Sequence, residues 1–216
     1  MLKFFSDKIM KFTVGDNIDE DHCVALTHEF FRCKDSFQEF KRYAALLENN
    51  KNSREYSYKA YNAYASFIHH LYEFLLGSYI RDQGNTNKKY KDNDERIKIN
   101  EDMIIREAQR IMNKYHDSIK RGDAPEWVND IQYYDITISS DFAKDFREYR
   151  NKVVGHVSYE RVLKLSLSEF YCKYHKFLYY LYIDFAEWWA KKPDQEFPDL
   201  KEITNFSILI QRKDLK

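Results

Sequence analysis

Residues 55–82 read EYSYKAYNAYASFIHHLYEFLLGSYIRD, and this stretch decides the fold class of the 216-residue chain. Its large apolar side chains recur every three or four residues, which is the spacing of one face of an α-helix. They are Tyr58, Tyr61, Tyr64, Phe67, Leu71, Phe74, Leu75 and Ile80. The pattern predicts a long and strongly aromatic helix.

The same periodicity predicts four more helices on either side of this stretch. Apolar side chains again recur at three- and four-residue steps, and polar segments rich in Asn, Lys and Asp separate several of the helices. The predicted helices cover residues 20–49, 94–120, 141–152 and 158–191.

Turn and cap residues agree with these helix limits. Gly122 follows a basic last turn, as is typical of the position just past a helix end. Ser140 and Asp141 predict the N-cap of the fourth helix, and Ser158 with Glu160 predicts that of the last.

Low contents of glycine and proline also favour long helices. The chain has 5 Gly and 3 Pro, which is few for an all-β fold with its many turns. Residues 131–139, IQYYDITIS, are rich in β-branched side chains and predict either a short strand or an extended connector. The sequence therefore predicts an all-α, up-and-down bundle of four to five helices over residues 1–191, followed by a C-terminal tail at 192–216.

Composition excludes several functional classes. The 35 basic and 35 acidic residues balance, so there is no global positive field for general nucleic-acid binding, and an anionic substrate would need a local site. The 3 cysteines form no CxxC pair, which argues against a disulfide framework or a zinc knuckle. No signal peptide and no long uncharged apolar segment are present. We therefore expect a cytoplasmic protein that does not bind membranes.

Residues 150–156, RNKVVGH, are the strongest candidate for a functional motif. Arginine binds phosphate as a fork, and histidine transfers protons near neutral pH. The bare spacing is weak support, because 12 Arg and 7 His give about 1.2 chance matches in this chain. A second match, Arg110 to His116, lies within one predicted helix, where a six-residue separation turns the side chains away from each other.

The copy at Arg150 differs from the copy at Arg110. Asn151 follows the arginine directly, which lowers the chance expectation to roughly 0.07. The motif also spans a predicted helix junction that contains Gly155, and the longest predicted helix begins just after it.

In these features the chain resembles the HEPN superfamily, whose hallmark is Arg, a polar residue and then His within four to six positions. By position, Arg150 and His156 match the hallmark, and Asn151 matches its polar residue. The resemblance implies a helical bundle that dimerises, with two facing motifs that form one composite ribonuclease site. It further implies a bacterial toxin or antiviral defence role, with an inhibitor or a nucleotidyltransferase as partner.

The resemblance has limits in extent and in detail. It rests on the seven-residue motif and on a helical pattern over about residues 20–191. Some toxin members carry a tyrosine two residues after the histidine, where this chain has Ser158, with Tyr159 one position later. A tyrosine-modification mechanism is therefore not carried over, and Tyr159 is kept only as a supporting candidate.

The implied chemistry needs no metal and no other cofactor. The ribose 2′-OH attacks the adjacent phosphate, and His156 acts as general acid or base. Arg150 binds the phosphate and stabilises its growing charge, while Asn151 orients the phosphate or the imidazole. A carboxylate from an earlier helix approaches the Arg–His pair in some HEPN members, and Glu73 is the candidate for it here.

Other interpretations of the same residues remain open. Arg150 would also suit a helix-end ion pair, and His156 a surface position, in a non-catalytic bundle that binds a protein partner or a nucleotide. His69 and Glu73 share a helix face, but a metal site there would need further ligands that the sequence does not identify. Most of the 18 tyrosines are expected in the core and at interfaces.

Overall fold

The computed structural model describes residues 15–49, 53–84, 90–151, 166–189 and 201–211, except for the side chains of Trp188, Lys201 and Glu202. Within these ranges the chain is all-α, as predicted, with one 3₁₀ turn and no strand. The helices are α1 (Asn17–Glu48), α2 (Arg54–Asp82), α3 (Asn93–Arg121), α4 (Ser140–Tyr149), α5 (Leu167–Trp189) and α6 (Lys201–Gln211).

Side-chain caps fix the ends of the first four helices. Asp16, Ser53, Asp92 and Ser139 each accept a hydrogen bond from a backbone N–H of the first turn. Gly122 ends α3 with φ +74°, in the left-handed conformation that glycine adopts without steric cost. The cap of α4 is thus one residue earlier than predicted, because the hydroxyl of Ser139 bonds the backbone of the first turn.

The connector at residues 131–139 is not a strand. It begins with a 3₁₀ turn at Ile131–Tyr133 and continues without regular structure. The side chain of Gln109 on α3 donates to the Ile136 carbonyl at 3.0 Å and accepts from the Ile138 amide at 2.9 Å. The side-chain amide of Gln109 thus satisfies two backbone groups of the connector, so the connector needs no partner strand for them.

The helix predicted over residues 158–191 is not continuous, because Ser166 is not helical. The described part of the last long helix begins at Leu167, and Ser166 precedes it, with its hydroxyl accepting from the Glu169 amide at 3.1 Å. The predicted cap at Ser158 and Glu160 lies outside the described residues. The segment predicted as a tail contains the helix α6, whose described side chains are exposed.

The long helices α1 and α2 pack against each other as an antiparallel pair. Asp19 pairs with Arg81 near one end of the helices, and Tyr43 lies against Tyr56 near the other. Between them, Gly77 allows close approach, because a Cβ there would lie 2.6 Å from a methyl group of Leu26. The short connection after α1 therefore brings residues far apart in sequence into contact along the whole pair.

Aromatic side chains of α5 pack onto this pair and complete the core. The Tyr182 ring lies 4.7 Å from that of Phe37 and 5.7 Å from that of Phe67, measured between ring centroids. Trp189 packs edge-on against Phe74 at 5.4 Å. Tyr182 is buried in this core, as expected for most of the tyrosines.

None of the described helices combines the length and the hydropathy that a membrane crossing requires. None of the three cysteines forms a disulfide; Cys33 is buried in the core, and Cys172 is exposed.

A buried carboxylate anchors α3 to α5. Asp184 on α5 is 1% exposed and accepts hydrogen bonds from Arg110 and Lys114, both at 2.7 Å. Burial opposes ionisation, but the two neighbouring cations outweigh it and lower the pKa of Asp184. The second Arg–His match is therefore structural, since Arg110 serves this ion pair and His116 bonds Asp117 instead.

We predict that Asp184→Asn lowers the free energy of unfolding by about 1–3 kcal/mol, because two cations lose their shared partner. Urea denaturation at pH 7 measures this loss. Asp123→Asn is the matched control, since the Arg121–Asp123 pair is 60% exposed on both sides and should contribute little. Equal stability of Asp184→Asn and wild type would contradict the anchoring role.

A second buried polar contact makes the stability of the bundle depend on pH. His175 on α5 shares a hydrogen bond of 2.9 Å with the Tyr64 hydroxyl and stacks on Tyr171. Burial lowers the pKa of His175 to about 4, whereas the unfolded chain binds this proton near its ordinary value of about 6.5. The unfolded state therefore binds more protons between these two values, and folding loses stability as the pH falls through this window.

We expect His175→Phe to remove this component of the pH dependence. In wild type, His175 alone should reduce the free energy of unfolding by up to about 2 kcal/mol between pH 7 and pH 5. Urea denaturation at both pH values should show a correspondingly smaller drop for the variant. The same drop in both proteins would exclude His175 as its source.

Candidate functional site

Arg150 and Asn151 lie at the C-terminal end of α4, where the helix widens into a π-turn. Phe142, Phe146 and Tyr149 bury the apolar face of this short helix against the core. Because these three side chains fix the rotation of α4, its polar side turns toward α2 and α3. The local sequence thus positions the first two residues of the predicted motif.

The Arg150 guanidinium joins α4 to α2. Its Nε and Nη2 both contact a carboxylate oxygen of Glu73, and its Nη1 donates to the Asn151 side-chain oxygen at 2.7 Å. The guanidinium carbon also lies 5.7 Å from the centroid of the Tyr72 ring. The structure therefore brings together Arg150, Asn151 and Glu73, three of the five residues that the sequence singles out.

This ion pair keeps the arginine accessible to a second anion. The Arg150 side chain is 34% exposed and that of Glu73 is 31% exposed. Three of the five guanidinium N–H donors bond Glu73 and Asn151, so two have no acceptor among the described residues. Arg150 can therefore hold an incoming phosphate oxygen while Glu73 and Asn151 fix its orientation.

A cavity of about 510 Å³ opens beside this contact, and we call it the arginine cavity. The lining residues that matter for its chemistry are Tyr72, Glu73, Arg96, Arg147, Arg150 and Asn151. The lining carries three guanidinium groups and one carboxylate, and Glu101 pairs with one of the three arginines, so one positive charge is left in excess and favours an anionic ligand.

The two further arginines of the cavity are held differently. Arg147 pairs with Glu101 at 2.8 Å, and its side chain is 22% exposed. Arg96 is exposed and donates to the neutral side chain of Asn93 at 2.6 Å. Arg96 therefore forms no ion pair with a carboxylate of the described residues.

Neither Arg96 nor Arg147 was selected as a site residue from the sequence. Arg147 lies three positions before Arg150, so helical spacing alone places both on one face and could have identified it. Arg96 reaches the cavity from α3, and no local pattern relates it to the motif.

His156 and Tyr159 lie outside the described residues, so the structure does not relate either side chain to Arg150. Their assignment to the site stays a prediction.

Comparison with known proteins identifies no relative of this chain. No protein-family model, curated protein or solved structure matches this chain. Functional inference therefore depends on the geometry of the site and on the residues that form it.

A second polar cluster lies one helical turn before Glu73 on α2. Glu29 on α1 accepts a hydrogen bond of 2.7 Å from Nδ1 of His70, and the ring of His69 lies 5.0 Å from that of His70. Burial and the nearby charges of His70 and Arg150 lower the pKa of His69, against the opposing effect of Glu73 and Glu29. This cluster is electrostatically coupled to the arginine cavity but has its own set of ligand atoms.

Proposed function

We propose that the chain is a metal-independent endoribonuclease of the HEPN type that acts as a homodimer. In this proposal the enzyme works in the cytoplasm, within a toxin–antitoxin or antiviral defence system. Its substrate is single-stranded or loop RNA, because the reaction needs a ribose 2′-OH that can align with the scissile phosphate.

One observation carries the proposal: a partly exposed Arg150, oriented by Glu73 and Asn151, lies at the edge of a cavity that two more arginines line. Catalysis of phosphate transfer depends on cations that are positioned before the reaction at the place where negative charge develops. An arginine that already has a fixed partner loses little freedom when it binds phosphate.

The proposed reaction proceeds by internal attack on the phosphate. His156 removes the 2′-OH proton, the 2′-oxygen bonds to phosphorus, and the bond from phosphorus to the 5′-oxygen breaks. His156 of the partner subunit gives a proton to the departing 5′-oxygen. The products are a 2′,3′-cyclic phosphate and a 5′-OH end, and Arg150 stabilises the charge of the transition state between them.

The alternative function is nucleotide binding by a bundle that has no catalytic activity. The volume of the arginine cavity favours it, since about 510 Å³ lies in the range of small-ligand sites. The pairing of Arg150 with Glu73 is compatible with both functions. RNA cleavage is the observation that separates them.

We predict that Arg150→Ala lowers the RNA cleavage rate by about 10²–10³-fold and His156→Ala by about 10²–10⁴-fold. Purified protein is incubated with a labelled RNA in excess EDTA, and the new ends are analysed for 2′,3′-cyclic phosphate and 5′-OH groups.

Two control variants remove the same types of residue at positions outside the site. His116→Ala removes the histidine of the other Arg–His spacing, and Arg121→Ala removes an exposed arginine at the end of α3. Both should cleave like wild type. Equal cleavage by wild type and His156→Ala would identify a contaminating nuclease and end the proposal.

Glu73→Gln should separate binding from catalysis. We expect kcat to fall roughly 10- to 100-fold, because Arg150 loses the carboxylate that orients it. KM should stay level or decrease, since a negative charge leaves the cavity. Glu107→Gln, which removes a carboxylate from the Arg110 pair, is the control. A higher KM with unchanged kcat would mean that Glu73 does not position Arg150 for the reaction.

A further inference from the structure

Three side chains with metal-binding atoms lie close together between α1 and α2. They are Glu29, His69 and His70, and we call them the Glu29 cluster. One ligand atom from each lies within 4.8 Å of the ligand atoms of the other two. Glu29 and His70 are 41 residues apart in sequence, so only the packing of the two helices brings them together.

One nitrogen in this cluster lacks a hydrogen bond. Nδ1 of His69 is buried, and no described residue donates to it or accepts from it. His70, by contrast, uses its Nδ1 for Glu29. Buried polar atoms in folded proteins nearly always have a partner, so this nitrogen is available to a water molecule or a metal ion.

The donor set matches a zinc ion with an open position. Two imidazole nitrogens and one carboxylate oxygen form a common set of three protein ligands for Zn²⁺, with water as the fourth. Bond lengths of about 2.0–2.1 Å place two ligand atoms of a tetrahedral site roughly 3.3 Å apart. The atoms of the cluster, now between 2.7 Å and 4.8 Å apart, would reach this spacing through small side-chain adjustments.

The charge around the cluster also suits a cation. Arg32, which lies 3.4 Å from Glu29, and Arg150 are balanced by Glu29 and Glu73, so no net positive field opposes the metal.

We propose that Glu29, His69 and His70 bind one Zn²⁺ ion, which links α1 to α2. The proposed ligands are not the residues assigned to cleavage, since Arg150 is not among the three. The site also differs from the expectation from sequence that the chain holds no metal, since Glu29 carries no local signal that relates it to the two histidines.

Isothermal titration calorimetry of EDTA-treated full-length protein with ZnCl₂ tests the site. We expect one zinc per chain and an affinity at least tenfold weaker in Glu29→Gln, His69→Ala and His70→Ala, because even the loss of a group that only orients a metal ligand weakens binding about 10- to 100-fold. Bound zinc should also raise the melting temperature of wild type, by mass action on the folded state, and should not raise that of Glu29→Gln.

Two controls identify adventitious binding. His116→Ala removes another histidine that contacts a carboxylate, and Cys172→Ser removes the exposed thiol. Both should bind zinc like wild type. Glu29→Gln keeps an oxygen acceptor for His70 and should fold, so it decides the matter even if an alanine variant does not fold. No zinc binding by wild type at micromolar metal, or wild-type affinity in Glu29→Gln, would overturn the proposal.

Discussion

The contact between Glu73 and Arg150 is the constraint on which the candidate site depends. It joins the middle of α2 to the end of α4, and it fixes a guanidinium without burying it. A fully buried pair would leave no donor for a ligand, and an unpaired arginine would lose more freedom on binding one. Partial exposure with a fixed partner is therefore the arrangement that prepares an arginine for phosphate.

The rest of the bundle holds α2 and α4 in the positions that this contact requires. The α1–α2 pair and the aromatic side chains of α5 form a continuous core, and α4 is held against it by Phe142 and Phe146. Asp184 fixes α3 against α5, so the wall of the cavity that carries Arg96 has its own anchor. Stability and binding are thus supplied by different residues, and variants of one group should leave the other largely intact.

Features encoded in a few neighbouring residues could be predicted from the sequence. Periodicity and Gly122 located the first four helices to within a few residues, because caps and helix faces are local, whereas the helix α6 was not predicted. The path of residues 131–139 could not be predicted, since the distant Gln109 supplies its hydrogen bonds. Sequence singled out Glu73 as a candidate partner of Arg150, but nothing in it related Glu29 to the histidines of α2, because that relation arises only from helix packing.

The most direct test of the account is NMR observation of arginine Nε–H groups during titration with 2′-O-methyl RNA, which binds but lacks the attacking hydroxyl. If the arginine cavity binds the phosphate backbone, the signals of Arg150, Arg147 and Arg96 should shift together, while that of Arg121 should not. Saturation with RNA that leaves those three signals unchanged, or that shifts Arg121 equally, would contradict the central claim.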